Sequence, residues 1–103
     1  MITALVQFRL QHPLTRDQAA KVFAGSAPNY REVPGLIRKY YILSEDGRSA
    51  GGVYLWESRE AAERVYNEDW RQTVAARYGA EPTVTWFASP VVVDNQAGSI
   101  ITD

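Results

Sequence analysis

Aromatic side chains with polar tips are the residues of this chain best suited to chemistry. Tyr40, Tyr41, Tyr54 and Trp56 fall in two apolar segments, Pro34–Leu43 and Gly51–Ser58, separated by a charged turn. If the segments pair as strands, several rings share a face and can wall a pocket. A phenol hydroxyl or indole N–H on that wall would orient a hydroxyl-bearing aromatic guest. Trp70, Val74 and Tyr78 recur at i, i+4 and i+8, a stripe that can lid the pocket, and Trp86 can close it from a later strand. The same side chains serve equally well as core and interface, and both readings stay open at this point.

Groups able to move a proton are few. His12 is the sole histidine, the side chain type that titrates near neutrality, and it precedes Pro13 in a connection. It is a candidate general base at a pocket mouth, or a solvated turn residue. Arg38 alternates with Leu36 and Tyr40, so it is a candidate for stabilising an enolate or peroxide anion; its rival role is an ion pair with Glu57. Tyr40 joins His12 and Arg38 as a catalytic candidate, and Tyr40, Tyr54, Trp56, Trp70 and Trp86 are the substrate-binding candidates. Asp46, Glu60, Glu63, Glu68 and Asp69 read as solvated charges, and no two form an acid/base pair. Gly51-Gly52 opens a strand rather than a helix, which favours a bulge or close strand contact over a phosphate cradle. With no cysteine and one histidine, disulfides, thiolate nucleophiles and a multi-histidine metal site within one chain are excluded.

These side chains need elements to hold them. Strict alternation over residues 2–10 sets Ile2, Ala4, Val6, Phe8 and Leu10 against Thr3, Leu5, Gln7 and Arg9, a half-buried strand. Thr15-x-x-Gln18 is a capping box, followed by Ala19, Val22, Phe23, Ala27 and Tyr30 at helical spacing. Pro28 bends that helix or starts a second short one. Strands are expected at 36–45 and about 51–57, joined by the turn Glu45-Asp46-Gly47-Arg48. Ser58 caps a helix that Asn67 interrupts; a further helical piece ends at Gly79, and a last strand covers 81–89. Residues 1–95 are read as one domain and 96–103 as a tail that lies on a partner subunit.

The order β-α-β-β-α-β predicts an α+β, ferredoxin-like fold with one antiparallel sheet, its first and third strands central. On the second strand Leu36, Tyr40 and Ile42 are expected on one face, with Ile37, Tyr41 and Leu43 on the other. Val53 and Leu55 oppose Tyr54 and Trp56; Val84 and Trp86 oppose Phe87. Both faces are therefore apolar. Helices cover one, and a second copy of the chain is the economical cover for the other. A homodimer is expected.

Composition removes other classes. A hydrophobic fraction of 46% with 22% charged residues suits a folded domain, and a net charge of -1 leaves no electrostatic footprint for nucleic acid. No apolar run approaches the ~20 residues of a membrane span. The beginning of the chain has no basic lead or cleavage site, so neither membrane nor secretion is expected, and a cytoplasmic location is.

The segments PGLIRKYYI, GGVYLWES and REAAE together resemble the YdhR-type mono-oxygenases of the dimeric α+β barrel superfamily, related to the antibiotic-biosynthesis mono-oxygenases. The resemblance spans roughly residues 2–95. It implies a homodimer whose sheets close a barrel, with a pocket in each subunit between sheet and helices. It further implies oxidation of a small aromatic, quinol- or anthrone-like compound by O₂ without metal, haem or flavin. A deprotonated phenolic substrate can itself pass an electron to O₂, so the protein needs an apolar box, a hydrogen-bond handle and a proton path. Alternatives on the same scaffold are a non-catalytic small-molecule-binding protein and an isomerase or dehydratase.

Overall fold

Alternating burial places β1 (Ile2–Arg9) at the centre of the molecule: Ala4, Val6 and Phe8 are buried, whereas Gln7 and Arg9 are exposed. The computed structural model describes residues 1–103. After Pro13, Thr15 caps α1 (Arg16–Ser26) through both arms of the capping box: the Gln18 N–H donates to Thr15 Oγ1 at 3.1 Å, and the Thr15 N–H to Gln18 Oε1 at 2.9 Å. Pro28 opens a second, short helical segment after α1 ends at Ser26. It sits in the opening turn of a 3-10 segment, Ala27–Tyr30, where its missing N–H costs nothing.

β2 (Leu36–Leu43) and β3 (Ser49–Trp56) form an antiparallel pair. β2 stops at Leu43, short of residue 45, because Asp46 gathers the turn. Its Oδ1 accepts from Ser44 Oγ at 2.7 Å and from the Arg48 N–H at 3.0 Å. Ser58 caps α2 (Arg59–Val65), and Asn67 ends one helix and begins the next by accepting the Trp70 N–H at 2.9 Å. α3 (Glu68–Tyr78) closes at Gly79, whose φ of 85° is the left-handed cap geometry. β4 (Thr83–Ala88) completes a sheet of order β2-β3-β1-β4, with every pairing antiparallel. This is the expected α+β, ferredoxin-like arrangement.

Helices cover one face. Beneath them lie two apolar clusters, one around Val6, Tyr54, Trp56 and Tyr66 and the other around Phe8, Phe23, Ala50 and Val74. The second strand departs from simple alternation. Leu36 pairs with Trp56 and Arg38 with Leu55, so Ile37 is an extra residue in a β-bulge. Leu36 therefore packs into the helix-side core while Arg38 and Tyr40 lie on the opposite face. The expected grouping of Leu36 with Tyr40 fails for that reason, because one inserted residue inverts side-chain parity. Arg38 also has a different partner: its Nη2 meets Asp94 Oδ2 at 3.0 Å, and Glu57 is left exposed.

The end of the chain is a hairpin of β5 (Val91–Asp94) and β6 (Ser99–Thr102). It lies along the outer face, with Val91, Val93 and Ile101 bordering a groove against Ile37, Tyr40 and Leu55. The boundary expected between residues 95 and 96 falls in the turn of this hairpin.

Candidate active site

A cavity of about 260 Å³ opens between the helix-side face of the sheet and the helices. Its floor comes from β1, β2 and β3 and its roof from α3 and the 3-10 segment. Tyr30, Tyr41, Tyr54, Trp70 and Tyr78 wall it. The stripe Trp70, Val74, Tyr78 faces it from α3, since residues four apart share a helix face. The Trp70 indole N–H donates to Tyr30 Oη at 3.0 Å and ties roof to wall. Tyr41 stacks on Phe23 with centroids 4.9 Å apart, and its hydroxyl lies 2.7 Å from Ser26 Oγ.

Lys39 enters this aromatic box. Its Nζ sits 3.4 Å from the ring centroid of Tyr30, 3.8 Å from that of Tyr41 and 4.6 Å from that of Tyr54. The faces of these rings favour an ammonium. Gly52 makes the space: a Cβ there would come within 2.8 Å of Tyr54 Cε1 and 3.1 Å of Lys39 Cε. The Gly51-Gly52 pair is thus a close-contact feature, as its position opening a strand suggests.

Burial decides which groups change charge near neutrality. The Lys39 amine is pushed down to about 7 by loss of water. Burial acts oppositely on the phenols: Tyr54 is held far above the ordinary tyrosine range, with Tyr30 adding to the effect, and Tyr41 and Tyr78 are also raised chiefly by burial. These tyrosines remain neutral hydrogen-bonding groups, and Lys39 is the wall residue that can take up or release a proton at physiological pH.

The structure distributes the residues singled out from sequence over several places. Tyr54 and Trp70 border the cavity. Trp56 is 0% exposed and donates its indole N–H to Tyr66 Oη at 3.1 Å, inside the core rather than on the cavity wall. Trp86 packs against the same cluster, its ring 4.2 Å from the Arg59 guanidinium carbon. Tyr40 and Arg38 lie together on the outer face, the Arg38 Nη1–H donating to Tyr40 Oη at 3.1 Å. His12 is exposed in the β1–α1 connection and borders neither the cavity nor the outer groove. Lys39 and Tyr30 are not among the site residues singled out from sequence, and Gly51-Gly52 reads there as a close contact without being tied to the cavity. One signal was present: alternation sets Lys39 on a strand face with Tyr41 and Leu43, an unusual place for a lysine.

The family model described as "Putative mono-oxygenase ydhR" matches residues 4–88, most of the chain. The chain belongs to the YdhR mono-oxygenase family. Solved structures agree at the level of fold. A monooxygenase from the gene ActVA-Orf6 of Streptomyces coelicolor, solved in complex with the ligand nanaomycin D, is 21% identical over 89% of each chain with a TM-score of 0.68. SnoaB, a cofactor-independent oxygenase from Streptomyces nogalater, is 17% identical over 85% of this chain and 91% of its own, with a TM-score of 0.62. No curated protein matches the sequence. In this member of the YdhR family the sheet-and-helix cavity is present, and no helix is long and apolar enough to cross a membrane.

Proposed function

We propose that this YdhR-family chain oxidises a small hydroxy-aromatic, quinol-like compound with O₂ in its helix-side cavity, without metal, haem or flavin. The observation that carries this reading is an aromatic-walled cavity of about 260 Å³ holding a single lysine amine. An apolar cavity of ~150 Å³ accepts one benzene, so this volume suits one or two fused rings better than the three of an anthrone. The reaction balances as phenol plus O₂ giving quinone plus water. The hydroxyl and the para C–H each lose a hydrogen, one oxygen atom becomes the new carbonyl, and O₂ accepts four electrons. The chain's part is to exclude bulk water, orient the ring between Tyr30, Tyr54 and Trp70, and accept the phenolic proton at Lys39 Nζ.

The chain is proposed to act as a homodimer. Tyr40 and Phe87 are 52% and 51% exposed on the outer face, and Ile37, Val93 and Ile100 are exposed nearby. A two-fold-related copy would cover them, with the β5–β6 hairpin at the junction.

Oxygen uptake with a panel of naphthols, hydroquinones and anthrones tests the activity, using ¹⁸O₂ to follow label into the product. One labelled carbonyl per turnover is expected from the naphthols and anthrones, which carry the C–H that is oxidised, and oxygen uptake without label from para-hydroquinones, with no product under nitrogen. Turnover under nitrogen would instead indicate an isomerase or dehydratase, and binding without product in either atmosphere a non-catalytic binding protein.

A further inference from the structure

Lys39 has no counter-charge. The ion pairs of the structure involve the amino terminus, Arg16, Arg38 and Arg59, and none includes Lys39. The cavity wall carries two basic side chains, Lys39 within and Arg77 exposed at α3, and no Asp or Glu. The groups facing the amine are Tyr30 from the 3-10 segment, Tyr41 from its own strand, Tyr54 from β3, and Arg77 and Tyr78 from α3. Ser26 and Asn29 are neutral. An ammonium held among rings, largely shielded from bulk water and without a carboxylate, is a costly arrangement unless something else supplies the negative charge.

We infer that the cavity binds its aromatic guest as an anion, the ionised hydroxyl of an acidic phenol or hydroxyquinone, with the Lys39 ammonium as its counter-ion. This rests on the helix-side cavity being the ligand site and is independent of the oxygen chemistry. A guest arriving as the neutral acid breaks its O–H bond and forms the N–H bond on Nζ, so charge balances within the pair. The aromatic walls bury the ring, and nearby phenol hydroxyls can donate to the bound oxyanion. A neutral guest of equal shape gains the burial but leaves the amine unpaired. Selection is therefore by acidity as well as by size.

The proposal fixes a pH response. Free Lys39, with its amine near 7, is charged below that point and neutral above it. An anionic guest then binds fully at pH 6 and progressively less tightly from pH 7 to pH 9, by up to about tenfold per unit.

Anaerobic calorimetric titration of the whole protein compares 2-hydroxy-1,4-naphthoquinone with its 2-methoxy ether, nearly the same shape with no acidic proton. The hydroxy compound is expected to bind about tenfold or more tightly at pH 6.5, the scale of one charge-assisted hydrogen bond. Lys39→Met should abolish both the preference and its pH dependence. Lys39→Arg should keep the preference and lose the decline above pH 7, because a guanidinium stays charged. Equal affinity of the two probes for the wild-type protein overturns the proposal, as does a preference that survives Lys39→Met or failure of both probes to bind. Acid selection without oxygen uptake supports it while the oxygenase reading falls; oxygen uptake without acid selection does the reverse.

Discussion

The two faces of the sheet are built from the same kinds of residue and have opposite fates. On the helix side, Ala4, Val6, Tyr54 and Trp56 are buried; the Trp56 indole N–H is satisfied by Tyr66 in the core, and at the cavity Trp70 donates to Tyr30 while the Tyr41 hydroxyl pairs with Ser26. On the outer side Ile37, Tyr40 and Phe87 remain exposed, and a four-residue-per-strand hairpin covers part of what is left. Charges differ in the same way. Arg38 outside is answered by Asp94, whereas Lys39, the next residue, enters the cavity with no acid to meet it. Adjacent residues on one strand thus divide the labour: one fastens the hairpin to the sheet, the other equips the cavity. The completed ion pair marks the structural face, and the uncompleted one marks the face proposed to receive a ligand.

That contrast can be broken most strongly at the core. Trp56→Ala is expected to cost about 3–5 kcal/mol in urea denaturation, because it empties a fully enclosed site. Phe87→Ala, at a half-exposed outer position, should cost less than about 1 kcal/mol within a subunit. Comparable losses at the two positions would erase the distinction. The outer face is next tested by charge. Phe87→Glu combined with Val93→Glu is expected to shift sedimentation to a single subunit while circular dichroism keeps its wild-type form, since two like charges would oppose self-association. A wild-type protein that sediments as one subunit at micromolar concentration would remove the dimer.

Lys39→Met sharpens the contrast through stability. The folded amine near 7 lies below its ordinary 10.5, so between those values the unfolded chain binds the extra proton. Wild-type stability without ligand should therefore rise with pH above 7, and the contribution is lost as pH falls through 7. The variant should be about 1–2 kcal/mol more stable near pH 7, allowing for partial solvent exposure, and should flatten the response between pH 7 and 9 in denaturant titrations. Tyr30→Phe, which removes the acceptor of the Trp70 indole, should cost about 1 kcal/mol and loosen the cavity roof, seen as a change in tryptophan emission. Smallest of all, Asp94→Asn is expected to move Tm by no more than about 2 °C, because its pair with Arg38 is exposed on the arginine side.

Much of the fold was legible because its signals are local. Thr15 with Gln18, Ser58, Asn67 and Gly79 each act on backbone groups within one turn, so their spacing announces helix ends before any tertiary contact exists. Alternation on β1, on β3 from Gly52 to Trp56 and on β4 from Thr83 to Phe87 survives in the burial pattern, as paired strands of regular register require; Gly51, close against the β1 backbone, is buried with its neighbours. The stripe of Trp70, Val74 and Tyr78 likewise reached the cavity. Other features had no local mark. The bulge at Ile37 is decided by what β2 must match on β3 and by the fit of Leu36 into the helix-side core. Residues 96–103 read as a tail from sequence, yet that they pair with Val91–Asp94 as a hairpin depends on a turn and on the sheet beneath it.

From sequence alone came the order of elements, the excess of apolar strand surface and the supply of rings for a pocket, all consequences of periodicity and near-neighbour geometry. Folding in three dimensions determined which rings enclose the cavity and which residue brings charge into it. Tyr30, Lys39, Tyr54 and Trp70 come from four separate elements, and only their packing puts an amine among aromatic faces. Water removed by that packing lowers the basicity of Lys39, a property set by surroundings rather than by residue type.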